Sequence, residues 1–289
     1  MESIKLEAYA KVNLGLDVVR RLENGYHEVK MVMQTIGLHD TLLLEKTKEG
    51  IALFTDSSEA PGDENNLAYK AARMMKERYG IADGIAIHLQ KRIPVAAGMA
   101  GGSTDAAAVL KGMNILFSLG LSERELCDAG VLLGADVPYC VIGGTALAEG
   151  IGEKLTVLPD APDCCVLTAK PPIGVSTKYV YENLRLSELE RHPDIDGMAG
   201  AVREHNLSGI LSRMENVLES VTEKQYPIIT RIKHIMEENG ARKALMSGSG
   251  PTVFGIYGSR EKAEKAAEQL SGAEPETQVF VTAFQRKER

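Results

Sequence analysis

No window of the 289-residue chain approaches 18 consecutive apolar residues, which rules out a transmembrane helix of ordinary length. The opening stretch, MESIKLEAYAKVNLGL, lacks the uninterrupted apolar core of a signal peptide. The four cysteines (Cys127, Cys140, Cys164 and Cys165) form no C-x-x-C pair. Cys164 and Cys165 lie in an apolar run, as small core residues do in a reducing cell. A cytoplasmic, soluble protein is the resulting expectation. A basic stripe is missing too, and 33 Lys and Arg against 40 Asp and Glu leave a formal charge of −7, which argues against nucleic acid as a partner. Tryptophan is absent, but 44% hydrophobic and 25% charged residues are ordinary for a globular chain. The length suits one large domain or two smaller ones.

Several catalytic signatures are absent as well. No lysine adjoins Ser103 or Thr104, so there is no G-x-x-x-x-G-K-[ST] loop. His27-Glu28 begins no zinc-protease helix, because Met31 stands where the second histidine belongs. In GSGPTVFG, Val253 replaces the third glycine of a dinucleotide fingerprint. In GGSTD, Asp105 replaces the glycine that a nucleophile elbow needs. Cys–His metal clusters, internal repeats and low-complexity segments are also lacking.

What is present reads as α+β. Alternation over 2–9, 28–36 and 41–46 predicts strands, and Asn24-Gly25 predicts a hairpin turn with Tyr26 and His27 at its tip. Helical spacing over 65–79 ends at Gly80, and 84–91 alternates again. A helix is expected from about Ser103 to Phe117, and the Ser122/Glu125 capping box opens another that ends near Gly134. Residues 139–150 read as a strand with a glycine bend. Beyond a soft boundary near 155 come a strand at DCCVLTAK, mostly helix over 193–240 with Pro227 at N1 and Gly240 at C′, and then strand, strand, helix, strand at 242–247, 252–258, 260–270 and 277–284. Antiparallel pairing is expected to dominate.

The chemistry gathers around IPVAAGMAGGSTDAAAV, a glycine loop between a strand and a helix. Glycine lets backbone N–H groups turn toward a ligand, and a helix N-terminus offers unpaired donors and the positive end of its dipole. Such a loop either binds an anion such as phosphate or merely caps itself, with Ser103 as N-cap and Asp105 complementing the dipole. Asp105 is assigned to the second role, since its charge would repel phosphate. A second cluster, MSGSGPTVFG (246–255), is either a tight hairpin or a wall beside the first loop. Lys11 lies in an otherwise apolar strand and either snorkels or points into a polar cavity. Asp136, between a glycine and a proline, suits a turn cap as well as a functional site.

Taken in order, AYAKVNLGLDV, NGYHEV, PVAAGMAGGSTDAA, LGADVPYC and LMSGSGPTVFG resemble the GHMP kinases, the family of galactokinase, homoserine, mevalonate and phosphomevalonate kinases. The resemblance spans nearly the whole chain. Its extra glycine and S-T-D-A-A ending point to the branch that phosphorylates the 2-hydroxyl of a cytidine diphosphate-linked methylerythritol in the non-mevalonate route to isoprenoids. A homoserine- or mevalonate-type kinase is the alternative, and it would have no use for the Tyr-His pair. The resemblance implies a two-domain GHMP kinase fold, with a ribosomal protein S5 domain 2-like domain over 1–155 and a ferredoxin-like domain over 156–289. It implies ATP as co-substrate with Mg²⁺, a small-molecule acceptor, and a monomer or homodimer. Lys11 and Asp136 match the catalytic pair, with Asp136 as general base. Pro94, Val95, Ala96, Ala97, Gly98, Met99, Ala100, Gly101, Gly102, Ser103 and Thr104 match the ATP loop, and Asn66 and Leu67 are placed in the nucleoside pocket. Asn13 matches a contact to the erythritol part, Tyr26 and His27 the cytidine site, and Tyr181 a second stacking face. Gly248, Ser249 and Gly250 are assigned to the substrate side. Ser103 and Thr104 are the metal candidates. Met99 and Thr104 depart from the usual leucine and serine, and Tyr9 from the usual proline, with little change of chemistry.

Overall fold

Asn24 and Gly25 turn the chain at the expected place: Gly25 takes a left-handed φ of 85°, and Leu22 N–H closes the turn on the Tyr26 carbonyl. The computed structural model describes residues 1–189 and 191–287. The turn joins two long strands, β1 (Ser3–Arg21) and β2 (His27–Thr47), which pair with each other. In chain order there follow β3 (Ile51–Thr55), α1 (Leu67–Tyr79), β4 (Gly84–Gln90), α2 (Gly101–Leu116), α3 (Glu123–Val131), α4 (Val137–Ile142), β5 (Thr145–Glu149), β6 (Lys154–Val157) and β7 (Cys165–Lys170). After these come α5 (Thr177–Asn183), α6 (Ile195–Arg203), α7 (Leu207–Leu211), α8 (Glu219–Gln225), α9 (Ile228–Glu238), β8 (Lys243–Met246), β9 (Val253–Tyr257), α10 (Arg260–Ala273) and β10 (Gln278–Ala283).

The chain forms two compact units. The first comprises Met1–Ala10, Leu38–Val95 and Ala100–Ile142; the second comprises Lys11–Gly37, Ala96–Met99 and the described chain from Gly143 onward.

In the first unit, residues 41–47 of β2 pair antiparallel with β4, and β4 pairs parallel with β3. Helix α1 buries Ala68, Ala71, Ala72 and Met75, the i, i+3, i+4, i+7 stripe of an amphipathic helix. Asn66 caps its start through the Ala68 N–H, and Gly80 ends it at φ 62°. Helix α2 is rich in small residues because it is enclosed. A Cβ at Gly112 would lie 2.4 Å from Leu44 Cδ1 and 2.7 Å from Leu6 Cδ1. The core around it joins Leu42, Leu44, Ile85 and Ile87 to Met75, Ala106–Val109 and Met113.

In the second unit, four antiparallel strands lie in the order β10-β7-β9-β8, with α9 and α10 packed against them. Residues 31–34 of β2 pair with β5, which pairs with β6. Helix α9 buries Ile229, Ile232 and Met236. The α+β class holds, and antiparallel pairing dominates with β3–β4 as a parallel exception.

Three local expectations are corrected. Residues 139–142, expected to start a strand, belong to a helix, because the Asp136 carbonyl accepts the Cys140 N–H and starts a turn that Gly143 and Gly144, both at positive φ, then break. Helix α2 begins at Gly101 with Ala100 as its N-cap, so Ser103 lies inside the first turn and is not a cap. Pro227 is the N-cap of α9 rather than its first residue.

Candidate functional site

From Ala96 to Ala100 every second residue adopts a left-handed backbone: Ala96 at φ 51°, Gly98 at 72° and Ala100 at 58°. Alternation of this kind turns successive N–H groups toward one side, the concave arrangement in which backbone amides receive anions. Helix α2 follows at once, and no side chain caps its first N–H groups. The loop thus offers turned amides, and the helix start offers free donors and the positive end of its dipole, each a feature that suits an anion such as phosphate.

The second unit builds a polar cluster around β1. Lys11 is buried, its Nζ donates to Asn13 Oδ1 at 2.7 Å, and its backbone N–H donates to the Met99 carbonyl at 3.2 Å. Asn13, fully buried, donates to Met31 Sδ at 3.0 Å. The β8–β9 turn joins this cluster. Ser247 Oγ donates to the Gly98 carbonyl at 2.9 Å, and a Cβ on Gly98 would fall 2.3 Å from the Ser247 carbonyl oxygen. The Gly248 backbone also lies close, since a Cβ there would be 3.6 Å from Asn13 Oδ1. The second glycine cluster is thus both a tight hairpin and a wall beside Gly98.

Asn216, which sequence reasoning passed over, and Ser249, which it assigned to the substrate side, shape that wall. Asn216 donates from Nδ2 to the Met246 and Gly248 carbonyls, each at 2.8 Å, and accepts the Leu218 N–H. The Ser249 hydroxyl lies 2.8 Å from Thr177 Oγ1 at the start of α5. That helix carries Tyr181, whose ring centroid is 5.1 Å from that of His27. Tyr26, next to His27 in the chain, is 61% exposed, an aromatic face open to a ligand. Burial, and then the nearby Arg21, hold the His27 pKa below its ordinary 6.5. At neutral pH its ring is therefore uncharged, with one nitrogen to donate and one to accept.

In the first unit, Asn66 serves the fold: its Oδ1 accepts the Ala68 N–H at 2.9 Å and its Nδ2 donates to the Pro61 carbonyl at 2.7 Å. Leu67 packs toward Gly102. Thr104 is buried, whereas Ser103 is partly open. Asp136 sits half-buried at the start of α4.

Asp105 overturns its assignment as a helix-start residue. It lies in the second turn of α2, with 2% exposure, and its Oδ2 accepts from Lys91 Nζ at 2.8 Å. Lys91 also bonds Asp40 Oδ2, while Asp40 Oδ1 accepts the N–H groups of Arg92 and Ile93. Burial works against the Lys91 charge, but the Asp105 and Asp40 carboxylates outweigh it and raise its pKa. Burial pushes Asp105 up to about 7, against the pull of Lys91 and helped by Asp40. Asp40 was readable in principle. Ile36, Leu38, Leu42 and Leu44 are the buried phase of β2, and Asp40 is the charge placed in that phase.

Among the described residues no group of three or more His, Cys, Asp and Glu is placed to hold a metal. Magnesium fits this donor set only as a partner of bound phosphates, which supply most of its oxygens while it keeps several waters. The open Ser103 hydroxyl suits such an ion better than buried Thr104 does. No helix of the described residues is long and apolar enough to cross a membrane.

The family model of the GHMP kinases N terminal domain matches residues 66–144, and that of the GHMP kinases C terminal matches residues 189–275. A 4-diphosphocytidyl-2-C-methyl-D-erythritol kinase of Lachnospira eligens is 54% identical over 283 residues, covering 98% of each chain. Its counterpart from Caldicellulosiruptor bescii is 53% identical over 92% of this chain and 94% of its own. Among solved structures, a 4-(cytidine 5'-diphospho)-2C-methyl-D-erythritol kinase superposes with a TM-score of 0.83 at 32% identity, over 97% of this chain and 99% of the other. Homoserine kinase from Cytophaga hutchinsonii reaches a TM-score of 0.80 at 21% identity, over 100% and 96%, which is a likeness of fold.

Proposed function

The chain belongs to the GHMP kinases, small-molecule kinases that use ATP, and from that premise we propose that it phosphorylates the 2-hydroxyl of 4-diphosphocytidyl-2-C-methyl-D-erythritol. The observation that carries the reading is 54% identity along 98% of the chain to a kinase named for that substrate. Tyr26, His27 and Tyr181 support it, because one open tyrosine and a neutral histidine beside a second ring suit a cytosine face and edge. A homoserine-type acceptor offers those rings nothing.

In this reading the left-handed stretch 96–100 and the α2 N-terminus receive the ATP phosphates. The acceptor hydroxyl oxygen forms the new bond to the γ-phosphorus while the bond to the departing ADP oxygen breaks, and Asp136 takes the hydroxyl proton. Lys11, fixed by Asn13, offsets the charge that develops on the phosphoryl oxygens. Ser103 would hold a magnesium ion brought in with the nucleotide, and such an ion would further neutralise that charge. Asn13 and the Gly248–Ser249–Gly250 turn hold the erythritol side, and the reaction runs in the cytoplasm. The test is a coupled ADP-release assay with purified protein, ATP and Mg²⁺, offering the diphosphocytidyl substrate, homoserine or mevalonate. Turnover with the first and not the others is expected; absence of ADP with the first overturns the reading.

A further inference from the structure

The two ends of the 94–100 loop are tied to one another by side chains that lie outside it. On the entry side, Asp40 Oδ1 accepts the N–H groups of Arg92 and Ile93, the last two residues before Pro94. On the exit side, Asp105 stands one turn beyond Gly101. Lys91 joins the two, with its Nζ bonded to Asp40 Oδ2 and to Asp105 Oδ2. All three side chains are shielded, at 8% exposure or less. Gly101 leaves room for the bridge, since a Cβ there would come within 3.4 Å of Lys91 Nζ.

The arrangement carries a cost that a purely structural link would avoid. Three ionisable side chains are shut away from water together, and Asp105 Oδ1 has no hydrogen-bond partner among the described residues. Apolar residues of similar size commonly stabilise a fold as well as a buried ion pair does, or better. What an ion pair gives that they do not is a fixed direction and distance between the elements it joins. The elements here are the strand end at Lys91 and the second turn of α2. Between them lie two alanines in left-handed backbone, Ala96 and Ala100, a conformation that alanine does not hold unaided.

We propose that Asp40, Lys91 and Asp105 are positioning residues for ATP, a brace that fixes the separation of the phosphate loop's two ends and so keeps its amides aimed at the nucleotide. The proposal rests on reading 94–104 as the ATP loop. The brace touches neither nucleotide nor acceptor and acts through the loop alone. Asp105→Ala cuts the tie, whereas Asp105→Asn keeps an oxygen for Lys91 Nζ.

The test is calorimetric binding of a non-hydrolysable ATP analogue with Mg²⁺ to the full chain, with binding of the diphosphocytidyl compound measured separately. For D105A the analogue is expected to bind at least 10-fold more weakly, with affinity for the diphosphocytidyl compound kept within 2-fold. For D105N nucleotide affinity returns to within 3-fold of the parent. Where D105A does not fold, K91M/D105A removes the tie together with the buried ammonium it would leave behind, and the same 10-fold loss is expected. Nucleotide affinity within 2-fold of the parent in the cut variant overturns the brace, and so does an equal loss for both ligands. A parent chain that binds no analogue overturns the ATP-loop reading instead, so the two failures are distinct.

Discussion

Gly98→Ala probes the closest approach in the site. Its backbone is left-handed at φ 72°, but that alone does not demand glycine, since Ala96 and Ala100 in the same loop are left-handed as well. The demand comes from the second glycine turn: an added Cβ would meet the Ser247 carbonyl oxygen at 2.3 Å and the Gly250 carbonyl oxygen at 3.0 Å. Both obstacles are backbone, so neither can swing aside. A left-handed alanine costs roughly 1–2 kcal/mol. Overpacking that forces a backbone shift adds typically about 1–3 kcal/mol. The expected destabilisation is therefore about 2–5 kcal/mol. The shift also stretches the Ser247 Oγ to Gly98 carbonyl hydrogen bond, now 2.9 Å, and nucleotide affinity should fall with it. Urea unfolding of the full chain measures the first effect and calorimetric titration of an ATP analogue the second. Ala100→Gly is the control: it relieves a strained backbone but frees the unfolded chain, and should stay within about 1 kcal/mol of the parent. If Gly98→Ala unfolds within about 0.5 kcal/mol of the parent, the steric reasoning is wrong, because overpacking alone should exceed that.

Asp136→Asn is expected to abolish turnover while nucleotide binding stays near the parent level; near-normal turnover removes Asp136 from the base role. Tyr26→Ala should raise KM for the diphosphocytidyl substrate far more than KM for ATP, and equal rises argue against a stacking role. Asp105 makes stability depend on pH. Its folded pKa of about 7 lies above the ordinary 3.8, so the folded chain holds that proton more tightly. The contribution is complete below 3.8 and is lost as pH rises through 7. Relative to Asp105→Asn, the parent should lose roughly 2–3 kcal/mol between pH 5 and pH 7, then level off, as read from urea midpoints. Parallel curves for the two proteins would contradict the shift.

Much of this was legible because it is local. Period-2 alternation, the Asn24-Gly25 turn, the Ser122/Glu125 capping box and the tail's strand, strand, helix, strand order all depend on residues within a few positions of each other. The misread helix at 137–142 is local too, but VPYCVI is six residues of apolar and β-favouring types, too short for periodicity to decide. Asp136 and Pro138 held the better signal, an acid of the type favoured at helix starts just before a proline in the first turn. What the sequence could not display was pairing at a distance. Asp105 read as a helix-start acid because the residues that claim it are Lys91, fourteen positions earlier, and Asp40 beyond that. Asn216 is unremarkable in sequence and is distinguished by the two carbonyls it holds, 30 and 32 positions later.

The Ser247–Gly98 contact also sets an order of events during synthesis. The two residues are 149 positions apart, and the Lys11 amide meets Met99 across a further long gap. At about 5–20 residues per second, a ribosome makes Ser247 roughly 7–30 s after Gly98. Throughout that interval the emerging chain has residues 96–99 but not the carbonyl and hydroxyl that hold them. The four antiparallel strands are completed later still, when β10 adds itself to β7. Nucleotide capture by the finished geometry is therefore a property of the nearly complete polypeptide. A nascent chain stalled before residue 247 should present a loose, glycine-rich segment to chaperones and proteases.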